Sequence, residues 1–146
     1  IYIWDNFYAS DYCEPRVTLD KYLPFTGNMP SDISGIMINA TGKINLDLLI
    51  LRLYSLGFQR NDFEISDFLS TELHPAFKSI SKYFTFNGSL IKADDCEYVN
   101  DILQNWIHPI KNEIYPYLHL LKFLMQNTGS RDSNFIKRIR LKEGES

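Results

Sequence analysis

Two short apolar runs, each ending in polar residues, lie in the first part of the chain. Residues 1–4 read Ile-Tyr-Ile-Trp before Asp5 and Asn6, and residues 33–38 place Ile33, Ile36, Met37 and Ile38 around Gly35 before Asn39. Both predict strands, the second buried on both faces. Between them Pro15, Pro24, Gly27 and Pro30 interrupt any helix, so residues 12–32 are expected to form a long connection. Long ordered connections in compact domains tend to be functional.

From Asn45 the period changes to that of a helix. Leu46, Leu49, Ile50, Leu53 and Leu56 line one side, and Gly57 is placed to end it. Farther on, Asn61 with Glu64 and Asp94 with Glu97 have the spacing of capping boxes, while Pro75 and Pro109 suit first turns because they have no N–H to lose. These signals predict helices near 62–72, 75–84, 94–107 and 109–126. In the third, Cys96, Val99, Leu103 and Trp106 form one apolar stripe; in the fourth, Ile110, Ile114, Leu118, Leu121 and Met125 form another. The two are expected to pack as an antiparallel pair. Pro116 interrupts the last pattern and predicts a kink or break beside Tyr115. Residues 85–93, with Asn87-Gly88, read as a turn or loop, and residues 127–130 read as a helix stop and linker.

Composition narrows the classes. The 146 residues, 45% hydrophobic and 23% charged, suit one globular domain with a sizeable core. No apolar run reaches the about 18 residues of a spanning helix, so no membrane partner is expected. A net charge of −3 argues against nucleic acid as the main partner. The basic tail, Arg131, Lys137, Arg138, Arg140 and Lys142, reads as a solvated helix face or frayed terminus. Cys13 and Cys96 are too few for a disulfide framework and favour a reducing compartment or buried thiols. Two glycosylation acceptors occur, at Asn39 and Asn87. A glycan on Asn39 would obstruct a residue wanted for ligand contact, which favours the nucleus or cytoplasm. Because the chain opens on Ile1 inside a strand, it is expected to be part of a longer polypeptide.

Several side chains near the predicted strand ends could carry chemistry. Asp11 can accept two hydrogen bonds at once, which matches neighbouring sugar hydroxyls; it can equally cap a turn after Ser10. Trp4 offers a flat apolar face for a sugar ring, or fills a core. Asn6 donates and accepts together, and Asn39 can do the same or end a strand as a turn residue. Asp5 alternates with Trp4 and should point away from it, as a salt-bridge or loop-anchoring residue. Tyr8 and Tyr12 flank Asp11 and could border a pocket. His74, His108 and His119 have no metal-ligand spacing, and two of them precede prolines at helix starts, which suits capping or surface placement. There is no glycine-rich phosphate loop and no nucleophile elbow.

Trp4-Asp5-Asn6, with Asp11 five residues after the asparagine and Asn39 at a second strand end, resembles the Trp-Asp-Asn signature of glycoside hydrolase family 84. That family includes the protein O-GlcNAcases and bacterial β-N-acetylglucosaminidases. The resemblance implies an α/β fold: residues 1–57 as the C-terminal strands and last helix of a (β/α)₈ TIM barrel, and residues 58–146 as an α-helical stalk. Functional residues of such barrels sit at the C-terminal ends of strands. The helix after Asn45 would pack on the outside of the strand cylinder.

The resemblance further implies site roles. Asp11 would grip O4 and O6 of the sugar, Trp4 would wall the acetamido methyl, Asn6 would shape the acetamido region, and Asn39 would bond sugar hydroxyls. Tyr8 and Tyr12 would stand at the rim. Catalysis would be retaining and substrate-assisted, with the 2-acetamido oxygen attacking C1 while two adjacent aspartates handle protons. That pair lies outside this segment, which therefore supplies substrate grip and no catalytic residue. Asp94-Asp95 is adjacent but stands at a helix start, where carboxylates suit the dipole. No cofactor and no metal are implied. The implied substrates are O-GlcNAc-modified proteins or GlcNAc-containing glycans, and the implied partners are the remainder of the barrel and a second copy through the stalk.

Arg16-Val17-Thr18-Leu19 keeps an Arg-x-x-Leu stretch of the family, whereas Asp20-Lys21-Tyr22, Gly27-Asn28 and Ala40-Thr41 depart from its pattern at the expected pocket rim. A rival reading uses only the amphipathic helices after residue 60. On it the chain is a noncatalytic helical interaction or dimerisation module, with Tyr115, Tyr117 and Phe123 as candidate contact residues.

Overall fold

The computed structural model describes residues 1–9, 15–22, 31–59 and 62–128. Asp11, Tyr12, Cys13, Asn61 and the basic tail lie outside the described residues.

The two expected strands form, at Tyr2–Asp5 (β1) and Gly35–Ile38 (β2). They pair in parallel, with Trp4 opposite Met37 and Asp5 opposite Ile38. Parallel strands require a long crossover, and the proline-rich segment between them supplies it. Alternation along each strand sorts the side chains. Ile3, Asp5, Ile36 and Ile38 share the more buried face, whereas Tyr2, Trp4 and Met37 occupy the other and are exposed.

After β2 the chain enters α1, Ile44–Gln59. Asp47 fixes this start, its Oδ1 accepting from the Thr41 backbone N–H at 2.8 Å and the Thr41 hydroxyl at 2.7 Å. Gly57 does not end α1; the helix runs past it to Gln59. Its lack of a side chain serves a different purpose, since a Cβ there would lie 2.6 Å from the Tyr22 carbonyl oxygen. Leu46, Leu49, Ile50 and Leu53 are buried as their spacing predicts. Their stripe faces the apolar core, in contact with α5, and Ile38 of β2 packs against the same core.

The remaining helices are α2 (Ile65–Glu72), α3 (Phe77–Ile80), α4 (Cys96–Asn105) and α5 (Pro109–Gln126). A 3₁₀ turn at Ser81–Tyr83 continues α3, and another at Ala93–Asp95 leads into α4. The expected box of Asn61 with Glu64 involves a residue outside the described ones, and the helix expected to be capped by Asp94 has its N-cap one residue later. α2 starts after Glu64 and α4 after Asp95, and neither residue caps through its side chain. Asp95 is instead buried, accepting from the Tyr83 hydroxyl and pairing with Lys82 at 2.6 Å. It is a structural anchor.

Histidines take the capping places. His108 Nδ1 accepts from the Ile110 N–H at 3.2 Å with Pro109 in the first turn, and His74 Nδ1 accepts from the Ala76 N–H at 3.3 Å beside Pro75. α4 and α5 pack together, and Lys111 on α5 caps α4 by donating to the carbonyls of Leu103 at 2.7 Å and Trp106 at 2.8 Å. The expected α5 stripe, Ile110, Ile114, Leu118, Leu121 and Met125, is buried throughout. α5 continues without a break through Pro116. The ring removes the donor that would reach Asn112, and both residues lie on the exposed side, where water can satisfy the freed carbonyl.

One apolar core runs through the molecule, from Tyr8, Val17, Leu19 and Tyr22 to Leu118, Leu121 and Met125. It spans both sides of residue 57, where the change of sequence pattern suggests a domain boundary.

Candidate functional site

The C-terminal ends of β1 and β2 lie side by side because the strands are parallel and in register. Trp4, Asn6 and Asn39 meet there. The Trp4 indole Nε1–H donates to Asn6 Oδ1 at 2.8 Å, and Asn39 Nδ2 donates to the same oxygen at 3.0 Å. The Asn39 backbone N–H donates to the Asp5 carbonyl at 2.9 Å, which extends the strand pairing to the edge of the cluster. One acceptor thus orients an indole from its own strand and an amide from the neighbouring strand.

Trp4 is 62% exposed, which excludes the reading of it as a core tryptophan within the described residues. Its face is open for apolar contact. The two amides bring further donor and acceptor capacity, because each side chain carries two N–H bonds and a carbonyl. A flat apolar wall beside uncharged donors and acceptors can take a polar, uncharged ligand that has an apolar face.

Asp5 supports this cluster from beneath. It is buried, its Oδ1 accepts the Phe7 N–H at 2.6 Å, and its Oδ2 accepts from the Tyr22 hydroxyl. The side chain points away from Trp4 and anchors a loop, the second of its two expected uses. The Tyr54 hydroxyl, also under the influence of this carboxylate, is buried without a hydrogen-bond partner of good geometry. Burial raises the Tyr22 phenol well above its ordinary range, and the bond to Asp5 adds to it; burial followed by repulsion from Asp5 does the same to Tyr54. Both phenols therefore stay protonated at neutral pH, and Tyr22 remains a donor.

Tyr8, expected at a pocket rim, is 1% exposed and packs edge-on against Tyr54. Its hydroxyl donates to the Asp20 carbonyl at 2.6 Å, and burial raises its pKa first and foremost. It is a core residue that ties the end of β1 to the crossover. Arg16 and Leu19 are also buried: Arg16 donates to the carbonyls of Thr85 at 2.6 Å and Phe86 at 3.0 Å, and the Leu19 N–H donates to Phe84 at 2.7 Å. The Arg-x-x-Leu stretch thus clamps the crossover to the helical layer.

Trp4, Asn6 and Asn39 are therefore brought together, and Asp11 and Tyr12 lie outside the described residues. Tyr22 and Tyr54, the supports beneath the cluster, carry no local sequence signal, since each meets Asp5 only through the fold. Among the described residues, no group of three His, Cys, Asp or Glu side chains is placed to hold a metal, and no helix is long and apolar enough to cross a membrane. No family model, curated protein or solved structure matches the chain.

Proposed function

We propose that this chain is the C-terminal part of a β-N-acetylglucosaminidase barrel with its helical stalk, from an enzyme removing O-linked GlcNAc from Ser or Thr of proteins. The observation that carries the reading is the convergence of Trp4, Asn6 and Asn39 at the C-terminal ends of two parallel strands. That is where a (β/α)₈ enzyme collects its ligand contacts. β1 and β2 would be neighbouring strands of the barrel and α1 its last helix.

In this reading Trp4 walls the acetamido methyl group, while Asn6 and Asn39 bond the sugar without placing a charge beside it. Asp11 grips hydroxyls from the loop after β1. The acetamido oxygen attacks the anomeric carbon, and the adjacent aspartates that orient it and move the proton belong to another part of the enzyme. A nucleocytoplasmic location follows from the same reading, because a glycan at Asn39 would close the site.

Release of GlcNAc from intact O-GlcNAc-modified proteins by the complete polypeptide tests the proposal, with chitin and hyaluronan fragments as competing substrates. Hydrolysis of the modified proteins that is lost in Asp11→Ala is the expected result. Hydrolysis and inhibitor binding unchanged in Asp11→Ala would remove the sugar site.

The rival, a helical interaction module, draws on Tyr115 and Phe123, which are exposed on α5. Tyr117, the third residue expected there, is fully buried, and its hydroxyl donates to the Tyr83 carbonyl at 2.5 Å. Self-association lost in Phe123→Asp, in a polypeptide that hydrolyses none of these substrates, would favour the module.

A further inference from the structure

Asn87 is the only asparagine of the chain that is followed by glycine, and it is exposed in a turn. The Gly88 N–H donates to the Thr85 carbonyl at 3.0 Å, which closes the turn over residues 85–88, and Gly88 completes it at a φ of 63°. That backbone region suits glycine, which has no Cβ. The same absence leaves the Gly88 nitrogen unhindered toward the carbonyl carbon at the end of the Asn87 side chain.

The crossover holds the residues before Asn87 in place. Arg16, buried, donates to the same Thr85 carbonyl at 2.6 Å and to the Phe86 carbonyl at 3.0 Å. Asp20 Oδ2 accepts the Phe86 N–H at 2.9 Å, and the Phe86 ring stacks on Phe7. A nitrogen that is donating its proton to a carbonyl is a poor nucleophile, so reaction at Gly88 requires the turn to open locally.

We propose that Asn87 is a deamidation site, and that the Arg16 and Asp20 contacts set its rate by holding the turn closed. The Gly88 nitrogen gives its proton to solvent hydroxide and bonds to Asn87 Cγ. The Cγ–Nδ2 bond then breaks, Nδ2 leaves as ammonia with a proton from water, and a cyclic imide remains. Water opens either C–N bond of that imide. One product is aspartate in an unaltered backbone; the other is isoaspartate, whose backbone is longer by a methylene. Both place a new carboxylate beside the clamp, and isoaspartate also lengthens the path between the Thr85 carbonyl and the Gly88 N–H.

Incubation of the complete polypeptide at mildly alkaline pH, followed by peptide mapping and isoaspartyl methyltransferase labelling, tests this. Folded protein should convert Asn87 ahead of every other asparagine, yet several-fold more slowly than the same chain unfolded in urea. Arg16→Lys and Asp20→Ala, each checked for folding by circular dichroism, should convert several-fold faster than the unsubstituted protein. In the unfolded chain Gly88→Ala should slow the reaction several-fold, because the added methyl crowds the attacking nitrogen. An Asn87 that stays intact in folded protein, or earlier conversion elsewhere, would overturn the site, and an unaffected Gly88→Ala rate would overturn the imide route. Equal rates in folded and unfolded chains would overturn the control by the turn, as would folded variants no faster than their parent. No readout involves sugar hydrolysis, so this site and the sugar site can fail separately.

Discussion

Glu113, on α5, caps α1: its Oε2 accepts the backbone N–H of Leu46 at 2.7 Å, while Oε1 accepts from the backbone and side chain of Asn45 at 3.1 and 2.7 Å. Helix starts leave backbone donors without partners, and an anion there also complements the helix dipole. A carboxylate from one helix thus fixes the start of another. It locks the element that follows β2 to the helical layer.

Glu113→Ala should therefore cost about 1.5–3 kcal/mol, the range for charge-assisted hydrogen bonds whose donors are left behind. Glu113→Gln keeps one acceptor and should lose less. Urea unfolding of both variants measures the difference. Equal losses would mean that the neutral acceptor retained in the glutamine contributes nothing and that the whole effect needs the carboxylate.

Gly57→Ala opposes two effects of different size. Alanine is favoured over glycine inside a helix by about 1 kcal/mol. A Cβ at Gly57, however, would meet the Tyr22 carbonyl at 2.6 Å and the Tyr22 Cβ at 2.9 Å. Overpacking against backbone costs about 1–3 kcal/mol, so the variant should be net destabilised. Because Tyr22 donates to Asp5 beneath Trp4 and Asn6, the indole N–H resonance of Trp4 should also shift. A stabilised variant with an unshifted resonance would refute this.

These relationships divide into what could be read along the chain and what could not. The α5 stripe was legible because five apolar residues keep one helical period and all five face the core. The Trp4, Asn6 and Asn39 cluster was legible because both strands end in polar residues and parallel pairing aligns their ends. The role of Gly57 was hidden, since a glycine late in a helical pattern looks like a stop unless Tyr22 is known to lie against it. The direction of α1 was hidden too. Ile44, Leu48 and Leu51 keep helical spacing as well but are exposed, and only tertiary contacts decide which stripe faces α5. Glu113 and Asn45 have no local pattern in common, so a cap shared between distant helices leaves no trace in either segment.

Tyrosine ionisation sets an alkaline limit. Burial is the leading cause that raises the pKa of Tyr8, Tyr22, Tyr54, Tyr83 and Tyr117 above the ordinary 10.0. The unfolded chain then loses phenolic protons at a pH where the folded chain keeps them. Stability from these groups is complete below about pH 10 and falls above it, by about 1.4 kcal/mol per pH unit for each phenol still protonated in the fold. Absorbance at the phenolate band should therefore show these five titrating together with loss of far-ultraviolet circular dichroism. Their ionisation in protein that stays folded near pH 10 would contradict the burial.

The amides at the strand ends make separable contributions to the proposed sugar contact. Asn39→Ala removes one donor from Asn6 Oδ1 while leaving the bond from Trp4 Nε1, so the indole should keep its orientation. Asn6→Ala removes the acceptor that both side chains share and should release them together. If the cluster binds GlcNAc, Asn39→Ala in the complete polypeptide should lower kcat/KM by roughly 10- to 100-fold, as for an unreplaced hydrogen bond in a binding site. Asn6→Ala should lower it further, because it disturbs the aromatic wall as well as an amide. Comparing the two variants is more informative than either alone: an equal, small effect would mean that the hydrogen bonds among these three residues only finish the strand ends.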